Sequence, residues 1–101
     1  MKEITSANFK SEIDNGYVVL DFHAPWCAPC KMLKPVLEAL ESKHPDILVG
    51  SVNIDSEPFL AEECGISSLP TVLIYKSGQV VQKMVGLSTL AEFEEVLTNG
   101  D

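Results

Sequence analysis

Cys27 and Cys30 stand three positions apart in the segment Trp26-Cys27-Ala28-Pro29-Cys30, where an extended apolar run gives way to a helical pattern. A helix beginning near Cys27 would set its sulfur beside backbone N–H groups that lack an intrahelical partner, at the positive end of the helix dipole. Both effects favour a thiolate over a thiol. At about 3.6 residues per turn, the helix would carry Cys30 round onto the same face, within reach of Cys27. A disulfide there could open and close without refolding the chain, so the pair reads first as a redox dithiol. Half of a zinc site is the competing reading. Tetrahedral zinc would need two more ligands, and the remaining Cys64, His23 and His44 show no paired spacing. An iron–sulfur cluster would lack its fourth cysteine. No metal is expected, and no cofactor apart from the dithiol itself.

The elements around the pair must position it. Tyr17-Val18-Val19-Leu20-Asp21-Phe22 is rich in β-branched and aromatic residues and barely alternates, the pattern of a strand buried on both faces. Asp21 is out of place there, because a buried carboxylate is costly unless paired or protonated. The bland alternative is that Asp21 ends the strand and faces water. From Cys27 a helix is expected to about Lys43, with Met32, Leu33, Val36, Leu37 and Leu40 as its apolar stripe and a kink at Pro35. Ile47–Asp55 reads as a second core strand. Strand, helix and strand within about forty residues make a right-handed crossover, which sets the two strands parallel.

A short strand at Lys2–Thr5 and a helix through Asn8–Ile13, capped by Thr5 or Ser6, precede this unit. After it come a short helix with Pro58 in its first turn and Cys64 inside it, a Thr71–Tyr75 strand, a turn at Lys76–Gln79 and an antiparallel return along Val80–Val85. Thr89 and Glu92 have capping-box spacing for a last helix, with Leu90, Phe93 and Leu97 inward and a stop at Asn99-Gly100. The expected class is α/β: one domain over residues 1–101, a central mixed sheet of about five strands flanked by about four helices. A formal charge of −8 disfavours nucleic acid and anionic membranes as partners. No apolar run approaches the ~20 residues that span a bilayer. The first residues carry no secretory pattern, which points to the cytoplasm.

These features together resemble the thioredoxin family. Asp21-Phe22, Trp26-Cys27, Pro29-Cys30-Lys31, Pro35, Asn53-Ile54-Asp55, Leu69-Pro70-Thr71, Gly78 and Gly86 fall in that family's order and spacing. The resemblance implies a thiol–disulfide oxidoreductase that reduces protein disulfides, with Cys27 as nucleophile, Cys30 as resolving thiol and more buried of the two, and Asp21 as proton acceptor. It also implies that Pro70 is cis. The docking surface it implies comprises Trp26, Ala28, Pro29, Leu69, Pro70, Gly86 and Leu87; simple packing is the competing role for Trp26. Its partners would be disulfide-containing protein substrates and a thioredoxin reductase, NADPH- or ferredoxin-linked, and its state a monomer. Three positions depart from the family pattern. Ala28 replaces a usual glycine, His23 a frequent aromatic, and Ser51 a common lysine near the buried Asp; the last change should make the Asp21 proton harder to remove. His23 is a candidate for titration between about pH 6 and 7. Cys64 reads as a small, half-buried residue, with a regulatory thiol as the sharper alternative. Two other functions compete: an exported oxidant or isomerase of the same fold, and a non-catalytic binding module.

Overall fold

A computed structural model describes residues 1–99. The chain runs β1 (Lys2–Glu3), α1 (Phe9–Glu12), β2 (Tyr17–His23), α2 (Ala28–Lys43), β3 (Leu48–Asn53), α3 (Pro58–Glu63), β4 (Thr71–Lys76), β5 (Gln79–Val85) and α4 (Leu90–Asn99). The strands form one sheet in the order β1-β3-β2-β4-β5. β1 and β2 lie parallel to β3, while β4 runs antiparallel to β2 and β5 antiparallel to β4. The expected mixed sheet of five strands with four helices is therefore present.

β2 lies at the centre because its run from Val18 to Phe22 can be buried on both faces. Side chains alternate across a strand, so its residues divide between two cores. Val18, Leu20 and Phe22 pack with Val52, Leu73, Tyr75 and Leu60 of α3. Val19 packs on the opposite face with Val49, Val72 and Ile74, under Leu33, Leu37 and Leu40 of α2 and Phe93 of α4. Asp21 and His23 follow Val19 onto the α2 side. Gly50, in β3 between β1 and β2, leaves room for Ile4 and Leu20 to pack in the first of these cores. A Cβ there would come within 2.7 Å of Ile4 Cγ1 and 3.0 Å of Leu20 Cδ2.

Several boundaries differ from expectation, for local hydrogen-bonding reasons. β3 stops at Asn53, two residues short of the expected Asp55. The Asn53 side chain accepts from the Asp55 N–H at 2.9 Å, and its carbonyl accepts from the N–H groups of Ser56 and Glu57. That turn consumes the groups a longer strand would need. α1 begins only at Phe9, since Thr5 uses its hydroxyl to accept from Ala7 N–H and its own N–H to reach Asn8. Cys64 is the residue that closes α3, not one inside it. Pro35 sits within an unbroken 16-residue α2.

The hairpin turn is narrower than Lys76–Gln79. Ser77 and Gly78 have φ of 51° and 82°, the two-residue turn whose twist matches its strands. A bulge then leaves Val81 without a partner of its own, Ile74 facing Gln82 and Tyr75 facing Val80. Thr89 and Glu92 form the reciprocal capping box: Glu92 accepts from Thr89 N–H at 2.8 Å and Thr89 from Glu92 N–H at 3.1 Å. The stop expected at Asn99-Gly100 lies partly outside the described residues.

Candidate active site

Cys27 is the N-cap of α2, in extended conformation at φ −92° and ψ 108°. Its N–H donates to Ala24 O at 3.2 Å, which fixes the turn out of β2. Pro29 falls in the first helical turn, where an absent N–H costs no hydrogen bond. Cys27 and Cys30 are joined as a disulfide, their Cα atoms 5.3 Å apart. The Cys30 N–H donates to Cys27 Sγ at 3.3 Å. A helix start at this point, and both sulfurs on one face, follow the expectation from spacing.

Both cysteines are buried, Cys30 only marginally more than Cys27. Cys27 is 5% exposed and Cys30 4%. What separates them is the cavity each faces. Cys30 lines a pocket of about 200 Å³ together with Asp21, His23 and Ser51. Cys27 lines an open groove of about 450 Å³ on the other side, with Trp26, Ala28, Pro29 and Leu69. The two sulfurs thus belong to different cavities: Cys30 to the pocket that holds the buried carboxyl of Asp21, Cys27 to the open groove.

Asp21 does not face water. It is 2% exposed, and its Oδ1 has no hydrogen-bond partner. Burial pushes its carboxyl up to about 7, because a charge there would be poorly solvated. Ser51 stands opposite it in the β2–β3 register. His23 is half-buried on the same pocket. Burial, with the Lys34 charge added, lowers its pKa from 6.5.

Trp26 is not a packing residue. It is 68% exposed, and its indole Nε1 donates to both carboxylate oxygens of Asp55, at 3.1 and 3.3 Å. The Leu69–Pro70 peptide is cis. The Pro70 carbonyl accepts from Gly86 N–H at 2.9 Å, and the Thr71 hydroxyl donates to Ser68 O at 2.6 Å. Gly86 has φ of 85°, a conformation open to glycine at little cost. Of the expected docking surface, Trp26, Ala28, Pro29 and Leu69 line the groove. Pro70 is buried beneath it, and Gly86 and exposed Leu87 lie outside its lining.

Sequence reasoning missed Ile54, Ile66 and Ser67 in the groove wall and Asp55 as the anchor of Trp26. Ile54 and Ile66 look like core residues in any apolar count. The available signal for Asp55 was Asn53 two residues earlier, an Asx turn that ends a strand. Cys64 is half-buried, 3.9 Å from the Tyr75 hydroxyl, and burial pushes its thiol up, away from reactivity. Among the described residues, no cluster of three or more His, Cys, Asp or Glu side chains is placed to hold a metal ion, and no helix is long and apolar enough to cross a membrane.

A disulfide closing three residues at the start of a helix, inside a parallel crossover and over a buried carboxylate, defines a thiol–disulfide oxidoreductase domain. Comparison with known proteins makes the class specific. The family model described as Thioredoxin matches residues 1–99. The thioredoxin of Chlamydia caviae is 49% identical over 87 residues, covering 86% of this chain and 85% of that protein. That of Chlamydia pneumoniae is 43% identical over 99 residues, covering 98% and 93%. The oxidised crystal structure of mitochondrial thioredoxin 3 from Saccharomyces cerevisiae superposes with a TM-score of 0.89 at 32% identity, covering 98% of this chain and 94% of that one. The chain belongs to the thioredoxin family.

Proposed function

We propose that the protein is a dithiol reductant of protein disulfides, working through a mixed disulfide on Cys27 that Cys30 resolves. The observation that carries this reading is the division of the two cysteines between the cavities: Cys27 lines the open groove and Cys30 lines the Asp21 pocket. In the reduced protein, the Cys30 N–H and the α2 N-terminus favour a Cys27 thiolate. Such activated cysteines titrate at roughly 3.5–7.5, a range partly established on thioredoxin itself.

An extended substrate segment lies in the groove, with Trp26, Ala28, Pro29 and Leu69 against its side chains. The Cys27 thiolate attacks one sulfur of the substrate disulfide; the S–S bond breaks, the other substrate sulfur leaves as a thiolate, and a mixed disulfide remains. The ionised Asp21 carboxylate takes the proton from the Cys30 thiol. Cys30 then attacks Cys27 Sγ, the second substrate sulfur leaves, and the Cys27–Cys30 disulfide forms. Two electrons pass to the substrate, and no further cofactor takes part. A carboxyl titrating near 7 suits this proton transfer, since it is neither a strong acid nor permanently protonated at neutral pH. A separate reductase, NADPH- or ferredoxin-linked, returns the electrons. A monomer in a reducing cytoplasm is the setting this cycle calls for.

The test is capture. Cys30→Ser should hold a disulfide-bonded protein on Cys27 as an adduct that dithiothreitol releases, and Cys27→Ser should hold none. Adducts on Cys27→Ser instead, or on neither variant, would reverse the roles or remove the reading. The reduction potential separates reductant from oxidant: about −270 mV, the value already established for thioredoxins, supports the first, and about −120 mV the second.

A further inference from the structure

Asp21 must lose its proton before every resolving step, yet it is 2% exposed and its Oδ1 touches no donor. It lines the pocket of about 200 Å³ shared with Cys30, and His23 lines the same pocket. Asp21 and His23 are two apart on β2, so both side chains leave the sheet on the α2 side. Their backbones are about 6–7 Å apart at a strand's rise per residue. The pocket that both line, at about 200 Å³, has room for several waters at about 30 Å³ each. No hydrogen bond or ion pair engages the His23 ring among the described residues, so both ring nitrogens are available.

We propose that His23 is the proton relay of this site: it takes the Asp21 proton through water in the pocket and delivers it to solvent. This rests on Asp21 being the base for Cys30. His23 acts through Asp21 and not on the sulfurs, as a positioning residue for the proton. The Cys30 thiol gives its proton to the Asp21 carboxylate, the resulting carboxylic acid gives it to the neutral imidazole, and the imidazolium gives it to bulk water. One proton leaves and no electron moves in these steps.

The surroundings suit that direction of flow. Ser51, opposite Asp21, supplies a hydroxyl that can both donate and accept along the way. Lys31 and Lys34 of α2 form the rim, and the Met1 ammonium, held 3.3 Å from Glu41, closes it from the start of the chain. The Lys34 charge disfavours a lasting imidazolium. Burial first, and Lys34 second, lower the His23 pKa from 6.5, which favours the neutral ring that can accept a proton.

The experiment measures release of the second substrate thiol from the mixed disulfide, in rapid mixing at pH 7 and low buffer concentration. His23→Ala should slow this step about tenfold, below the usual range for a direct acid–base group. Free imidazole should restore the rate in proportion to its concentration, entering the space the side chain left, and should not change the wild-type rate. His23→Gln should be slow and unrescued, because its side chain fills the pocket without titrating. A structural defect would shift the urea midpoint and would not respond to imidazole. His23→Ala at the wild-type rate, or a loss that imidazole does not recover, overturns the relay. Asp21→Asn separates the two readings. If it is slow while His23→Ala is fast, the relay alone falls; if it runs at the wild-type rate, the base assignment falls and the relay with it.

Discussion

Asp21→Asn keeps the shape of the side chain and removes its ionisation. In wild type, the carboxyl moves from 3.8 to about 7 because of burial alone. The folded pKa therefore lies above the unfolded one, and the native state holds a proton that the unfolded chain releases. Stability from this group is complete below about pH 4 and is lost as pH rises through 7, at about 1.4 kcal/mol per pH unit. Above about pH 8 the loss levels off near 4 kcal/mol, an upper figure because water entering the pocket relieves part of it. Asparagine stays neutral throughout. Relative to wild type, the variant should gain about 3 kcal/mol between pH 5 and pH 8 in urea unfolding of the oxidised protein, with the m-value unchanged. It should also slow the resolving step at pH 7. Wild-type and variant stabilities that run parallel over that interval would refute a buried, desolvated carboxyl, whatever their absolute offset.

Gly50→Ala should destabilise the protein by about 1–3 kcal/mol, because the added methyl meets Ile4 Cγ1 at 2.7 Å between two packed strands; a urea midpoint within error of wild type would refute that packing. Asp55→Ala should leave unfolding free energy within about 0.5 kcal/mol of wild type, since the pair with Trp26 is exposed. It should lower the fluorescence anisotropy of Trp26, the single tryptophan, and raise KM for a disulfide peptide several-fold without slowing resolution. Unchanged anisotropy would mean that Asp55 does not hold the indole.

Elements with strong local chemistry were legible before any coordinates. The unalternating run of β2, the apolar stripe of α2 and the Thr89–Glu92 box each specify their own structure through nearest neighbours. Asp21 stood out because a carboxylate interrupts an apolar run, and the cysteine spacing needed only helix geometry. Features that depend on distant partners were not legible. Trp26 and Asp55 meet across 29 positions, and Ile54 and Ile66 become a groove wall only once two loops come together. The far end of β3 was misplaced because Ile54 extends the apolar pattern by one residue, while the Asn53 side-chain hydrogen bond turns the chain. The near-equal burial of the two cysteines follows from their packing in one small cluster with Ala24 and with Ile54 and Leu69, two residues distant in sequence. Which sulfur meets the groove is a question of direction, and spacing alone carries no direction.

The hairpin bulge described above has a consequence for colloidal behaviour. β5 is the outer strand of the sheet and exposes Val80, Val81 and Val85. A long, flat, apolar edge of that kind is a template on which other chains can add strands. Val81 interrupts the regular alternation of donors and acceptors, and Lys83 places a charge further along. An incoming strand would have to abandon pairing partway. The opposite edge, β1, offers two residues. Each side of the sheet thus shortens the uninterrupted ladder open to a second chain.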